Sequence, residues 1–154
     1  MTLSTGEVYV ICDAANYKAA KINDYSDVSI VFGSANLGIE KLENPAKIIK
    51  GSQLDMWVLD KNTGDLVNFN NFGVYQRRLA NPDKKNPVIS IANFNDNLFI
   101  LHSTGVTVYD LKRGKYSRFC YIPLIKNLTD IAVIDKSTVL LLSKDSVHVL
   151  GIPN

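Results

Sequence analysis

A chain of 154 residues, 46% apolar and 21% charged, is long enough for one domain with a substantial core and has the balance of an ordinary globular protein. A formal net charge of +2 exerts no general pull on nucleic acid, and no apolar run reaches the roughly 18 residues that a membrane helix needs, so no membrane insertion is expected. The opening MTLSTGEVYVICDAANYK lacks the basic and long apolar stretches of a secretory signal; with two cysteines, Cys12 and Cys120, in no CxxC or histidine spacing, the expectation is buried thiols in an intracellular compartment, nuclear or cytoplasmic.

Strand-like runs open the chain at about 7–11 and 17–22 and read as the end of one sheet (1–26). A second unit (27–74) is expected to hold strands at about 27–33, 46–50, 55–60 and 65–69. Within it, SANLGIEKLENPAKIIKG (34–51) has some helical spacing, but Gly38 and Pro45 interrupt it. It reads as an insertion with one short helical turn. The polar YQRRLANPDKKNP (75–87) reads as a loop. A third unit (88–121) has strands at 88–92, 98–102, 106–110 and 115–121, and a partial fourth (129–154) has strands at about 130–134, 139–143 and 147–151. About thirteen short strands between turn signals, with no long helical pattern, mean an all-β fold.

Two self-matches organise these strands. Val58-Leu59-Asp60-Lys61-Asn62-Thr63-Gly64 through Phe69 matches Val108-Tyr109-Asp110-Leu111-Lys112-Arg113-Gly114 through Phe119, with Val, Asp, Gly and Phe coinciding. Each copy reads as a hairpin in which Asp60 or Asp110 binds backbone amides and Gly64 or Gly114 supplies a positive φ. At an offset near 41, NLFILHSTGVTVYDL (97–111) lies over TVLLLSKDSVHVLGI (138–152). A third trace is Ser4-Thr5-Gly6, similar to Ser103-Thr104-Gly105. Four strands repeating every 40 to 50 residues is the period of a β-propeller blade.

VTVYDLKRGK (106–115) resembles the end of a WD-repeat blade, with Tyr109-Asp110 in the place of the Trp-Asp dipeptide and Leu59-Asp60 in the same place earlier. The Gly-His pair of that family has no counterpart, so its hydrogen-bond network is not carried over. The resemblance is to a divergent, WD-like β-propeller of about three four-stranded antiparallel blades. It implies a non-catalytic protein-protein interaction scaffold in a multi-subunit complex, partnered by other protein subunits. The alternative it implies is an RNA-contacting subunit of a ribonucleoprotein, such as a ribosome-biogenesis or RNA-processing complex. A propeller enzyme or lectin is the third reading.

Slightly over three blades do not close a ring, so three outcomes are open: an incomplete ring, a ring completed by blades from the same or another chain, or a smaller sandwich or barrel whose repeats mimic blades. Val8, Val10, Ile131, Val133, Leu140 and Leu142 are expected near the exposed ends. No nucleophile elbow or phosphate loop occurs, and no cofactor or metal is expected. His102 and His148 read as structural, as do most aspartates, which stand at strand ends. Arg77-Arg78, Lys84-Lys85 and Lys112-Arg113 fall on expected loops, with Tyr75, Tyr109 and Tyr116 nearby. They are the candidate contacts to a partner or to an RNA backbone. Loops 34–52 and 75–87 are the expected partner-binding segments, and Trp57 is expected to pack between blades.

Overall fold

The computed structural model describes residues 8–11 (backbone only), 17–22, 27–33, 38–52, 54–122 and 125–153. Expectations on Cys12, on Ser4-Thr5-Gly6 and on the side chains of Val8 and Val10 lie outside the described residues. Fourteen strands and no helix are found among them. They are β1 (Val8–Ile11), β2 (Ala19–Ile22), β3 (Val28–Phe32), β4 (Pro45–Lys50), β5 (Met56–Asp60), β6 (Leu66–Phe69) and β7 (Tyr75–Leu79). They continue as β8 (Val88–Phe94), β9 (Asn97–His102), β10 (Gly105–Asp110), β11 (Lys115–Tyr121), β12 (Leu128–Asp135), β13 (Thr138–Ser143) and β14 (Val147–Gly151).

The strands form four antiparallel meanders: β1-β2-β3, β4-β5-β6-β7, β8-β9-β10-β11 and β12-β13-β14. Three boundaries differ from expectation. Strand β3 pairs with β2, Ala19 opposite Phe32, so it closes the first sheet and does not open the 27–74 unit. Residues 75–79 are a strand, not a loop, and pair with β6. An outer strand leaves both faces partly wet, so YQRRL carries no apolar alternation to betray it. Residues 38–44 form a turn, closed by the Lys41 amide on the Gly38 carbonyl at 3.2 Å, with no helix.

The repeat is also re-registered. Hairpin β5-β6 joins the second and third strands of its sheet, whereas β10-β11 joins the third and fourth. The match of 58–69 with 108–119 therefore relates two non-equivalent hairpins. The offset near 41 relates equivalent ones, since β9-β10 and β13-β14 are both second-to-third hairpins.

By contact density the chain divides into two units, Met1–Pro82 and Asp83–Asn154. In the first, β1 lies beside β4. Ala19 and Phe32 of one sheet meet Ile48, Met56, Val58, Val67 and Phe69 of the next, with Leu42 in the same core. In the second, β12 lies beside β8, and Phe99, Leu101, Val106 and Val108 meet Ile131, Val139 and Leu141. The middle strands β5 and β6 are buried along their whole length, while β7 is half-buried and β11 largely exposed. Each buried Val, Leu or Phe side chain stabilises by about 1.5–3 kcal/mol, so stacking sheet on sheet supplies the main driving force.

Candidate functional site

The basic pairs divide between the two units, Arg77-Arg78 in the first and Lys84-Lys85 and Lys112-Arg113 in the second. Arg77 and Arg78 lie on β7, a correction to their expected place in a loop, and strand neighbours point to opposite faces. Arg78 is tied down: Nη1 pairs with the Asp65 carboxylate at 3.2 Å, and Nη2 donates to the carbonyls of Ile39 and Lys41. Asp65, itself buried, also accepts the Asn81 amide at 3.0 Å. The Arg77 guanidinium stands 5.0 Å from the centroid of the Trp57 ring, an attraction to the face of the ring quadrupole. Trp57 is fully buried, and its Nε1 has no hydrogen-bond partner among the described residues.

In the second unit the remaining pairs separate along one sheet. Lys84 and Lys85 are exposed in the turn before β8, where Asp83 accepts the Lys85 and Asn86 amides. Val88 stands opposite His102, so this turn is at the β9-β10 end. Lys112 and Arg113 are at the other end, where Lys112 Nζ lies 2.8 Å from Asp96. That bond raises the pKa of Lys112 above its ordinary value. Arg113 lies 3.7 Å from Asp110. Tyr109 and Tyr116 pack edge to face at 5.1 Å.

The aspartate and glycine turns differ in depth. The fully buried Asp60 carboxylate accepts the amides of Glu43 (2.6 Å), Asn44 (3.1 Å) and Asn62 (3.2 Å). It thereby fastens the loop before β4 to the end of β5. Gly64 follows at φ +72° and donates to the Asp60 carbonyl. Asp110 is shallower and accepts the Arg113 amide at 2.9 Å, with Gly114 at φ +65°.

In the next sheet the corresponding fastener is His102. Its Nδ1–H donates to the Asn86 carbonyl at 3.0 Å, while Ser103 Oγ reaches Asn86 Oδ1. Burial is the main cause holding His102 below its ordinary pKa of 6.5, against the raising effects of the Asn86 bond and Asp83. As pH falls, the unfolded chain takes up the imidazole proton first, so stability present above pH 6.5 is expected to be lost on acidification. Urea midpoints at about pH 7.5 and about pH 5.5 should separate for the native chain and converge for His102→Gln.

An apolar surface is open on the last sheet. On β12–β14 the face away from the core carries Ile134 (53% exposed), Leu142 (44%), Val147 (60%) and Val149 (71%). Leu140 and Val149 are direct partners, as are Leu142 and Val147. Of the residues expected at exposed ends, Ile131 and Val133 belong instead to the core. The run Val147-His148-Val149-Leu150 places apolar residues on both parities, Val147 and Val149 on one and Leu150 on the other, so sequence alone does not say which face is wet. Strand β14 is also a sheet edge.

No protein-family model matches the sequence, and no curated protein matches it. Solved structures match along most of the chain. A streptogramin B lyase covers 100% of it with a TM-score of 0.73 at 14% identity, the match taking in 54% of the lyase chain. The RRP9 WD40 repeats cover 87% with a TM-score of 0.69 at 10% identity, over 42% of that chain. The Cps50 (Swd1) β-propeller domain of Myceliophteria thermophila covers 97% with a TM-score of 0.68 at 6% identity, over 54% of that chain. These likenesses show the fold: a divergent, WD-like β-propeller segment. The chain spans about half the length of the propeller structures it matches.

Proposed function

We propose that this propeller segment is a non-catalytic interaction scaffold in a multi-subunit assembly, working in an intracellular setting. The observation that carries the reading is the apolar face and open edge of β12–β14. Scattered exposed apolar residues are ordinary, but a contiguous set on one sheet face marks a docking surface. Its exposed apolar residues suit the face of a neighbouring blade, and its edge strand β14 suits a further paired strand.

The isolated chain is expected to self-associate with rising concentration in light scattering. Val149→Lys should return it to a monomer and change stability by no more than about 0.5 kcal/mol, because the position is exposed. A native chain that stays monomeric at every concentration and binds no hydrophobic dye would overturn the reading.

Loops remain part of it in corrected form: the segment to delete in a partner-binding assay is 80–87, since 75–79 is strand β7. Contact with RNA phosphates is the alternative, and the exposed Lys84-Lys85 turn favours it most. It requires RNA affinity that falls steeply with salt and weakens on Lys84→Ala with Lys85→Ala.

A further inference from the structure

Three of the sheets share one construction at one end. The last residue of the second strand faces the first residue of the first strand: Asp60 faces Pro45, His102 faces Val88, and Ser143 faces Leu128. In all three the register shifts directly after that pair, between Pro45 and Lys47, Val88 and Ser90, and Leu128 and Asp130. Such irregularities bend the first strand and re-aim the segment before it. In two sheets a polar side chain at that position then bonds to the backbone of that segment. Asp60 reaches the amides one and two residues before β4, and His102 reaches the carbonyl two residues before β8.

In the last sheet the spanning position is a serine. Its hydroxyl turns back into its own hairpin, meeting the Ser146 carbonyl and hydroxyl at 3.1 Å each and His148 Nε2 at 3.3 Å. Ser146 Oγ also lies 3.3 Å from His148 Nε2. Between this hairpin and residues 125–127 is a cleft of about 230 Å³, lined by Lys126, Ser143, Lys144, Asp145, Ser146 and His148 among others.

We propose that this cleft binds an oxyanion on a peptide side chain, a phosphoserine or a carboxylate, whose oxygens take the place that the Asp60 carboxylate holds two sheets earlier. The amides of Asn127 and Lys126 stand one and two residues before β12, as those of Asn44 and Glu43 stand before β4. Two hydroxyls, whose protons can rotate toward an arriving anion, and an imidazole N–H add donors. Two ammonium groups against one carboxylate leave the rim positive, and charge-assisted bonds to such an anion are the strong kind. Among the described residues His148 is the one ring lining the cleft, with no Phe, Tyr or Trp beside it, whereas single-stranded nucleic acid is held by stacking of successive bases on several such rings as well as by charge. That favours a peptide. The inference does not depend on docking of the β12–β14 face, and small anions on the isolated chain test it separately.

The experiment is an amide and histidine-ring NMR titration of the whole chain with four ligands: inorganic phosphate, N-acetyl-phosphoserine amide, N-acetyl-glutamate amide and an oligouridylate. Phosphate and the phosphoserine amide are expected to move the signals of Lys126, Asn127, Ser146 and His148. Movement by the glutamate amide as well would extend the site from phosphorylated to acidic peptides. Ser143→Asp supplies the missing carboxylate from within and should weaken phosphate binding at least about tenfold. Lys126→Ala with Lys144→Ala, both at exposed positions, should weaken it about tenfold without disturbing the fold. The proposal is overturned if phosphate moves none of these signals, if both variants bind as the native chain does, or if only the oligouridylate binds.

Discussion

Asp60→Ala is expected to lower the stability of the chain by about 3 to 4 kcal/mol and its melting temperature by roughly 10 °C. The carboxylate has no exposure and accepts three backbone amides. Bonds to a charged acceptor contribute about 1.5–3 kcal/mol each, and donors left dry cost more. The sum is discounted because Asn62 is exposed and water can replace the acceptor there. Alanine also releases the loop before β4, whose Asn44 carbonyl receives the Lys61 amide. Asp60→Asn keeps one acceptor oxygen and should recover about half of the loss. Asp110→Ala is the control: the same Asp-Gly pattern, yet one amide bond at a wetter position, for about 1 kcal/mol. Equal losses at the two positions in urea unfolding would show that Asp60 does not act as a fastener.

That contrast shows what the sequence could and could not convey. Strand positions from 88 onward were legible because their apolar runs are short, β-rich and bounded by Asn, Asp, Ser and Gly. Asp60 and Asp110 look alike in sequence because both end a strand before a glycine. Their unequal depth follows from sheet order, which places Asp60 on a second strand and Asp110 on a third. Strand β7 was hidden because an outer strand needs no alternation. The cleft at Ser143 was hidden for a different reason. Its meaning comes from register, the pairing of Ser143 with Leu128 where its counterparts are Asp60 with Pro45 and His102 with Val88. The offset near 41 carried that information, since it brings His102 over Ser143, but a serine over a histidine draws no notice until the span it fails to make is seen.

Phe69→Ala is the other large loss, about 3 kcal/mol by urea unfolding. Phe69 is 1% exposed on β6, with its ring 4.8 Å from Phe32 of the first sheet and 6.4 Å from Tyr75 of its own. It is therefore the bolt between two stacked sheets, and truncation removes contacts on both sides. The lower end of the usual Phe→Ala range applies because Phe69 also lines a groove of about 450 Å³ with Phe32, Gly73 and Tyr75, so the vacated space opens to solvent and the walls can settle. Phe32→Ala should cost a similar amount. The double variant should cost less than the sum by about 0.5–1.5 kcal/mol, the coupling of a tilted aromatic pair. Strict additivity would mean that the two rings are buried independently and that the sheets are not joined through this contact.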